Sequence, residues 1–110
     1  MEIKEELQGN VIVLRPVGRI DNDTSLAFQD QLLKCLDASA AALVDLSGVE
    51  FISSAGLAAL MTAAKTAKAK SRRIAVAALR PVVQEIFTIS RFARVVSVYA
   101  TTAEGVAALG

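Results

Sequence analysis

Two adjacent hydroxyls, Ser53 and Ser54, are the side chains in this sequence best placed to do chemistry. They fall in Phe51-Ile52-Ser53-Ser54-Ala55-Gly56-Leu57, where the loop that follows a buried strand enters a helix, so one or the other stands at or beside the N-cap. A serine oxygen there accepts a hydrogen bond from an unpaired helix amide, and capping alone is a sufficient reason for it. No Glu or Gln lies three residues after either serine, so the reciprocal capping box is missing. Gly56 inside the first turn costs up to about 1 kcal/mol against alanine, which points to a close backbone approach or a partner that needs the space. The other use of such a hydroxyl is phosphorylation. A phosphate on Ser54 brings a charge of about −1.5 to −2 next to free backbone amides and the positive helix end, which hold it without unfolding the domain. A partner that buries the neutral hydroxyl must then desolvate a dianion. Burying a charge unpaired costs on the order of 2–5 kcal/mol, or about 30- to several-thousand-fold in affinity. On the residues alone, cap and phosphoacceptor both stand.

The residue types that are missing exclude much else. With no histidine, a Ser-His-Asp triad, a Cys-His dyad and His-ligated zinc are unavailable within the chain. An enzyme using Ser54 as a nucleophile therefore lacks an internal base. No glycine pair has dinucleotide-loop spacing, and Lys65-Thr66 lacks the preceding Gly of a phosphate-binding loop. Asp21, Asp23 and Asp45 have no spacing that demands a metal, and no cofactor is expected. Asp21 and Asp45 can make local turns, contact a partner or orient the Ser54 loop. Cys35, the only cysteine, reads as a small core residue and fits a reducing, cytoplasmic compartment. Lys65, Lys68, Lys70, Arg72 and Arg73 form a basic cluster, either a solvated helix end complementing its dipole or a contact for an acidic partner. Lys and Arg number 12 against 11 Asp and Glu, and this near-neutral balance provides no field for nucleic acid or an acidic membrane. The longest uncharged stretch, Phe51–Ala64, is shorter than the roughly 20 apolar residues of a membrane helix. The opening Met1-Glu2-Ile3-Lys4-Glu5-Glu6 lacks the features of a secretory signal.

These residues need a frame, and hydropathy patterning supplies one. At 110 residues and 54% hydrophobic, the chain is expected to form one domain spanning 1–110. Ile3, Glu5 and Leu7 alternate with polar neighbours, Gln8-Gly9-Asn10 offers a turn, and Val11-Ile12-Val13-Leu14 completes a hairpin whose second strand closes at Pro16 and Gly18. Asp21-Asn22-Asp23 supplies N-cap candidates for a helix with Phe28, Leu32, Leu33 and Leu36 on one stripe, running to about Asp37. Ala41-Ala42-Leu43-Val44 reads as a strand buried on both faces, followed by a loop from Asp45 through Gly56. Leu57, Leu60, Met61 and Ala64 mark the clearest helix; Ile74–Ala77 is another buried strand; Pro81 opens a helix with Val82, Val83, Ile86 and Phe87 inward. Val95–Tyr99 makes the last strand, and Thr101 or Thr102 caps a closing helix. The order is β-β-α-β-α-β-α-β-α, an α/β fold with an open, mixed, mostly parallel sheet packed by helices. Sites in such sheets lie beyond the carboxyl ends of the strands, here Gly18–Asp21 and the loop from Asp45 to Gly56.

The run from Asp45 through Leu57 resembles the signature of STAS domains, specifically the stand-alone anti-sigma factor antagonists. Gly18-Arg19-Ile20-Asp21 is similar to the family's Gly-x-Leu/Ile-Asp after the hairpin, and Val83–Ser90 to its later helix. The resemblance implies partner switching by a module with no catalysis of its own. The unphosphorylated form would bind an anti-sigma factor that is also a serine kinase and so free a sigma factor, phosphorylation would release it, and a PP2C-type phosphatase would reverse the mark. On the family's motif Ser54 matches the phosphoacceptor, Asp21 a nearby loop acid, and Gly56 and Leu57 the start of the following helix. Ser53 stands where the best-known members have aspartate, and Ala55 where they have a second serine. Asp21, Ser53, Ser54, Ala55, Gly56 and Leu57 are thus the expected partner-binding set. The alternative is a STAS structural subunit of a membrane-transport complex or signalling scaffold that is never phosphorylated.

Overall fold

The computed structural model covers Met1–Gly110. Its elements are β1 (Glu2–Gln8), β2 (Val11–Ile20), α1 (Ser25–Ala38), β3 (Ala41–Asp45), β4 (Val49–Ile52), α2 (Ser54–Ala69), β5 (Arg73–Ala77), α3 (Pro81–Ser90), a short 3-10 turn (Phe92–Arg94), β6 (Ser97–Tyr99) and α4 (Thr102–Leu109). The sheet runs β1-β2-β3-β5-β6, with β4 paired to the far end of β2. Only the β1–β2 hairpin is antiparallel, Glu2 lying opposite Val17 and Gln8 opposite Val11; the other pairings are parallel. The expected α/β architecture is therefore present, with one strand more than the sequence suggested.

That strand is β4, inside what reads as a loop from Asp45 to Gly56. Val49-Glu50-Phe51-Ile52 is too short to announce itself by alternation, and its pairing comes from a distant segment. β2 does not close at Pro16 and Gly18 but runs on to Ile20. It pairs with β3 through Val11–Leu14, then shifts register at Gly18 and Arg19 and pairs with β4 through Ile20, opposite Ile52. Gly18 sits at φ +106°, a conformation that an L side chain rarely adopts, and this lets the strand change partners without breaking.

Side chains divide by face. Leu14, Ile20, Ala42, Val44, Val76 and Ile52 meet Phe28, Leu32 and Leu36 of α1, Leu60 and Ala63 of α2, and Val83 and Phe87 of α3 in the main core. Phe87 and Phe92 meet edge to face, ring centroids 5.4 Å apart, and fasten α3 to the 3-10 turn. The opposite face, Val11, Val13, Ala41, Leu43, Ala75 and Ala77, is covered by α4 through Leu109 and Val106. β3 is buried along its whole length, as a strand covered on both faces must be. Contrary to expectation, Val82 lies outside the core, 54% exposed, because Val83 and Phe87 carry the buried stripe of α3 one position round the helix.

Cys35 is buried beside β1, its thiol directed at Glu5 Oε1 3.4 Å away. Burial, reinforced by the Glu5 carboxylate, pushes its pKa up to about 12, so the thiolate that reacts with electrophiles is scarce at neutral pH. Iodoacetamide at about pH 8 is expected to alkylate the native thiol at least about a hundredfold more slowly than the urea-unfolded one. Equal rates would show that Cys35 is open to solvent.

Asp45 ends β3 on the α4 side and is almost fully buried. Its Oδ1 accepts the Ser47 amide at 2.9 Å, and Oδ2 accepts the Thr102 hydroxyl at 3.0 Å and Arg15 Nε at 3.2 Å. The carboxylate thus pins the β3 turn, the start of α4 and the middle of β2 to one point. Burial alone would raise its pKa, but the Ser47, Thr102 and Arg15 contacts outweigh burial and hold it below the usual aspartate value. A carboxyl depressed by folding stabilises fully above its unfolded pKa of about 3.9, and that stabilisation disappears as pH falls through the folded value. Asp45→Asn should therefore lower stability by about 1–3 kcal/mol at neutral pH in urea unfolding. The deficit should shrink as pH falls below about 4. A deficit that does not change with pH would mean that the charge at Asp45 contributes nothing.

Candidate functional site

The carboxyl ends of β2 and β4 lie side by side, and both chains leave the sheet there. From β2 the chain turns through Asp21, whose Oδ1 accepts the Asp23 amide at 3.0 Å and the Thr24 hydroxyl at 3.3 Å. Thr24 also donates to the Arg19 carbonyl at 2.9 Å and accepts the Asp21 amide, so the turn into α1 is closed by its own polar groups. The N-cap of α1 is Thr24, one residue past the expected Asp21-Asn22-Asp23, and it makes no side-chain cap bond because its hydroxyl is spent on the turn. Arg19, beside this turn, places its guanidinium 4.6 Å from the Phe51 ring centroid and within 4.0 Å of Asp21.

From β4 the chain enters α2 at once. The Ser53 amide donates to the Ile20 carbonyl at 2.8 Å, tying the end of β4 to the end of β2. Ser53 is the N-cap, with extended backbone, and its Oγ accepts the Gly56 amide at 3.3 Å. The two serines thus divide the two roles that sequence alone left open between them. Ser53 caps. Ser54, the first helical residue, is exposed and its hydroxyl has no partner within the protein. No acidic residue occupies the first turn of α2, so the positive end of this 16-residue helix is uncompensated.

Gly56 is buried beneath Ser54. A β-carbon there would lie 2.6 Å from Ile52 Cγ1, 2.8 Å from Ile20 Cγ2 and 3.1 Å from the Ile20 carbonyl oxygen. The close approach expected of this glycine is present, and its cause is the fit of the helix onto the ends of β2 and β4. Ala55 and Leu57 are half-buried, Leu57 packing against the main core. The structure thus brings Asp21, Ser53, Ser54, Ala55, Gly56 and Leu57 to one end of the sheet. It does not join Asp21 to Ser54, since the Asp21 carboxylate makes its hydrogen bonds within its own turn. Asp45 lies apart, committed to Ser47, Thr102 and Arg15.

Sequence reasoning missed two exposed aliphatic residues at this end of the sheet. Parallel crossovers start α1, α2 and α3 at the same end of the sheet, and the first turns of α1 and α3 expose Leu26 at 71% and Val82 at 54%. Leu26 stands off the stripe formed by Phe28, Leu32 and Leu36, a signal legible in the spacing; Val82 was hidden because Val82, Val83, Ile86 and Phe87 all read as facing inward. This end of the molecule therefore offers an unbonded serine hydroxyl together with exposed aliphatic side chains, a combination suited to docking a protein surface.

Gly56→Ala should destabilise the fold by about 1–3 kcal/mol, since the backbone and branched side chains around the glycine leave the added methyl no room. Thermal or urea unfolding measures it. A neutral substitution would mean that α2 does not rest on Ile20 and Ile52.

A family model described as Mlab, STAS domain matches residues 3–97. Among solved structures, an anti-sigma factor antagonist from Mycobacterium paratuberculosis superposes with a TM-score of 0.89 at 25% identity, covering 98% of this chain and 92% of that one. An anti-sigma factor antagonist from Thermotoga maritima gives 0.89 at 18% identity, with 97% and 93% covered. The Bacillus cell fate determinant SpoIIAA in its phosphorylated form gives 0.74 at 15% identity, with 99% and 100% covered. Comparison with curated proteins finds no significant match. The family match spans nearly the whole chain, including the hairpin, both loops at the carboxyl end of the sheet and the helix that Ser54 begins, and the chain belongs to the STAS domain family.

Proposed function

We propose that the protein is an anti-sigma factor antagonist, a binding module controlled by phosphorylation of Ser54. The observation that carries this reading is the state of Ser54: exposed, without a hydrogen-bond partner, and on the first turn of a helix that carries no acid there. Unmodified, the serine is a small neutral group at the end of the domain where α1 and α3 also begin with exposed Leu26 and Val82, and the partner is an anti-sigma factor that seats there. The same partner, acting as a serine kinase, transfers the γ-phosphoryl group of ATP to Ser54 Oγ, with ADP leaving and the hydroxyl proton released.

The product remains folded for a physical reason. Gly56 N–H is already capped by Ser53, and the amides of Ser54 and Ala55 have no acceptor within the protein, so they and the helix dipole favour the new charge. The penalty falls on the complex. A surface fitted to a bare hydroxyl must bury a group of about −1.5 to −2 charge, costing on the order of 2–5 kcal/mol. The anti-sigma factor lets go and becomes free to hold its sigma factor. A PP2C-type phosphatase restores the serine. Asp21, Ala55 and Leu57 border the contact, while Ser53 and Gly56 set the height and direction of the helix that presents it.

Two measurements test this. Incubation with the cognate kinase and ATP, followed by peptide mapping, should place phosphate on Ser54; phosphate elsewhere, or none with a kinase shown to be active, overturns the switch. Titration calorimetry should find Ser54→Ala binding the anti-sigma factor like the wild type and the phosphorylated protein about 30- to several-thousand-fold more weakly. Ser54→Asp should fall between them because its charge is smaller. Equal affinities for the modified and unmodified forms would remove the mechanism and leave a constitutive binding subunit, since a mark without differential affinity shifts no equilibrium.

A further inference from the structure

Five basic residues fall between Lys65 and Arg73, at the end of α2 and the start of β5, and the structure separates them. Lys70 pairs with Asp37, and Arg73 donates through Nη1 to the Ala108 carbonyl at 3.1 Å. Lys68 and Arg72 make no salt bridge, although Arg72 is near enough to Asp37 to favour its charged form. Both line a cleft of about 270 Å³ with Arg73 and the apolar groups Ala64, Ala67, Ile74 and Val95. The Arg72 amide donates to Ala67 O at 2.7 Å, which fixes where the residue leaves the chain. None of its side-chain donors finds an acceptor in the protein, and Nε among them is sealed from solvent without a hydrogen bond. Buried polar groups are nearly always paired; Nε lies out of an outside ligand's reach, but the two Nη groups, also unpaired and not sealed, are open to an acceptor in the cleft.

We propose that this cleft binds a small organic anion. The guanidinium fork of Arg72 takes its oxyanion head, a carboxylate or a phosphate, with the Lys68 ammonium alongside. A planar fork matches either head through two parallel N–H donors, and lysine adds charge without fixed direction. The aliphatic surface of Ala64, Ala67, Ile74 and Val95 covers a short apolar body. The volume is near the lower end for small-molecule pockets and suits a ligand of a few carbons. This site is at the opposite end of α2 from Ser54, roughly 20 Å away along the helix, and does not depend on the role given to that serine.

The test is an NMR titration of the full, isotope-labelled chain with hexanoate, hexyl phosphate, 1-hexanol and inorganic phosphate. Hexanoate or hexyl phosphate should give saturable shifts at the Arg72 Nε–H and at the Ala67 and Ile74 amides, and the tighter of the two identifies the head group. Hexanol and inorganic phosphate should bind at least about tenfold more weakly, each lacking one half of the recognition. Arg72→Gln should weaken the preferred anion by at least about tenfold, Arg72→Lys by less, and Ser54→Asp not at all. Should Arg72→Gln fail to fold, Lys68→Gln, at an exposed position, carries the test with an expected loss of about threefold. No saturable shift with either anion, equal binding of hexanol, or unchanged affinity in the folded Arg72 or Lys68 variant overturns the proposal.

Discussion

The contact on which the site depends is the seat of α2 on the sheet. One hydrogen bond, from the Ser53 amide to the Ile20 carbonyl, joins the ends of β4 and β2, and the bare Cα of Gly56 lets the first helical turn settle onto Ile20 and Ile52. Everything at that end follows from this contact. The N-cap falls on Ser53, the next residue emerges as the first exposed hydroxyl, and the positive end of the helix faces outward beneath it. A different seat would turn Ser54 inward or bury its amides.

The two faces of the sheet divide the remaining work. The larger core, shared by α1, α2 and α3, aligns three helix starts at one end of the molecule, where Leu26 and Val82 are exposed in the first turns of α1 and α3. The smaller core under α4 has no part in that surface. Its polar centre is Asp45, where a nearly buried carboxylate satisfies a turn amide, a threonine hydroxyl and an arginine at once. This is why an aspartate at the end of a central strand, where ligands commonly gather, here holds structure together.

Much of this was legible in the residues, and the exceptions have physical causes. Short continuous apolar runs such as Ala41–Val44 and Ile74–Ala77 read as strands covered on both sides, and the spacing of Leu57, Leu60, Met61 and Ala64 marks one helix face. β4 was invisible because four residues carry no usable period and their pairing rests on β2 continuing beyond Gly18. A glycine that reads as a stop serves instead as the bend where the strand changes neighbours. Ser53 and Ser54 could be placed at a helix start from sequence, but the division of labour between them depends on a single residue of phase set by the Ile20 carbonyl. The basic cluster was legible as composition only. Which of its members finds a partner depends on Asp37 and the Ala108 carbonyl, far away in the chain.

Gly56 also limits how such a domain can change over generations. Any single-base change in a glycine codon that alters the amino acid introduces at least a β-carbon, and here that carbon collides with two isoleucines. The position therefore has no harmless neighbour in sequence space, and a lineage could leave it only by first trimming Ile20 or Ile52. Ser54, turned to solvent, is under no such restraint, so descendants can gain or lose a modifiable side chain while the helix beneath it stays where it is.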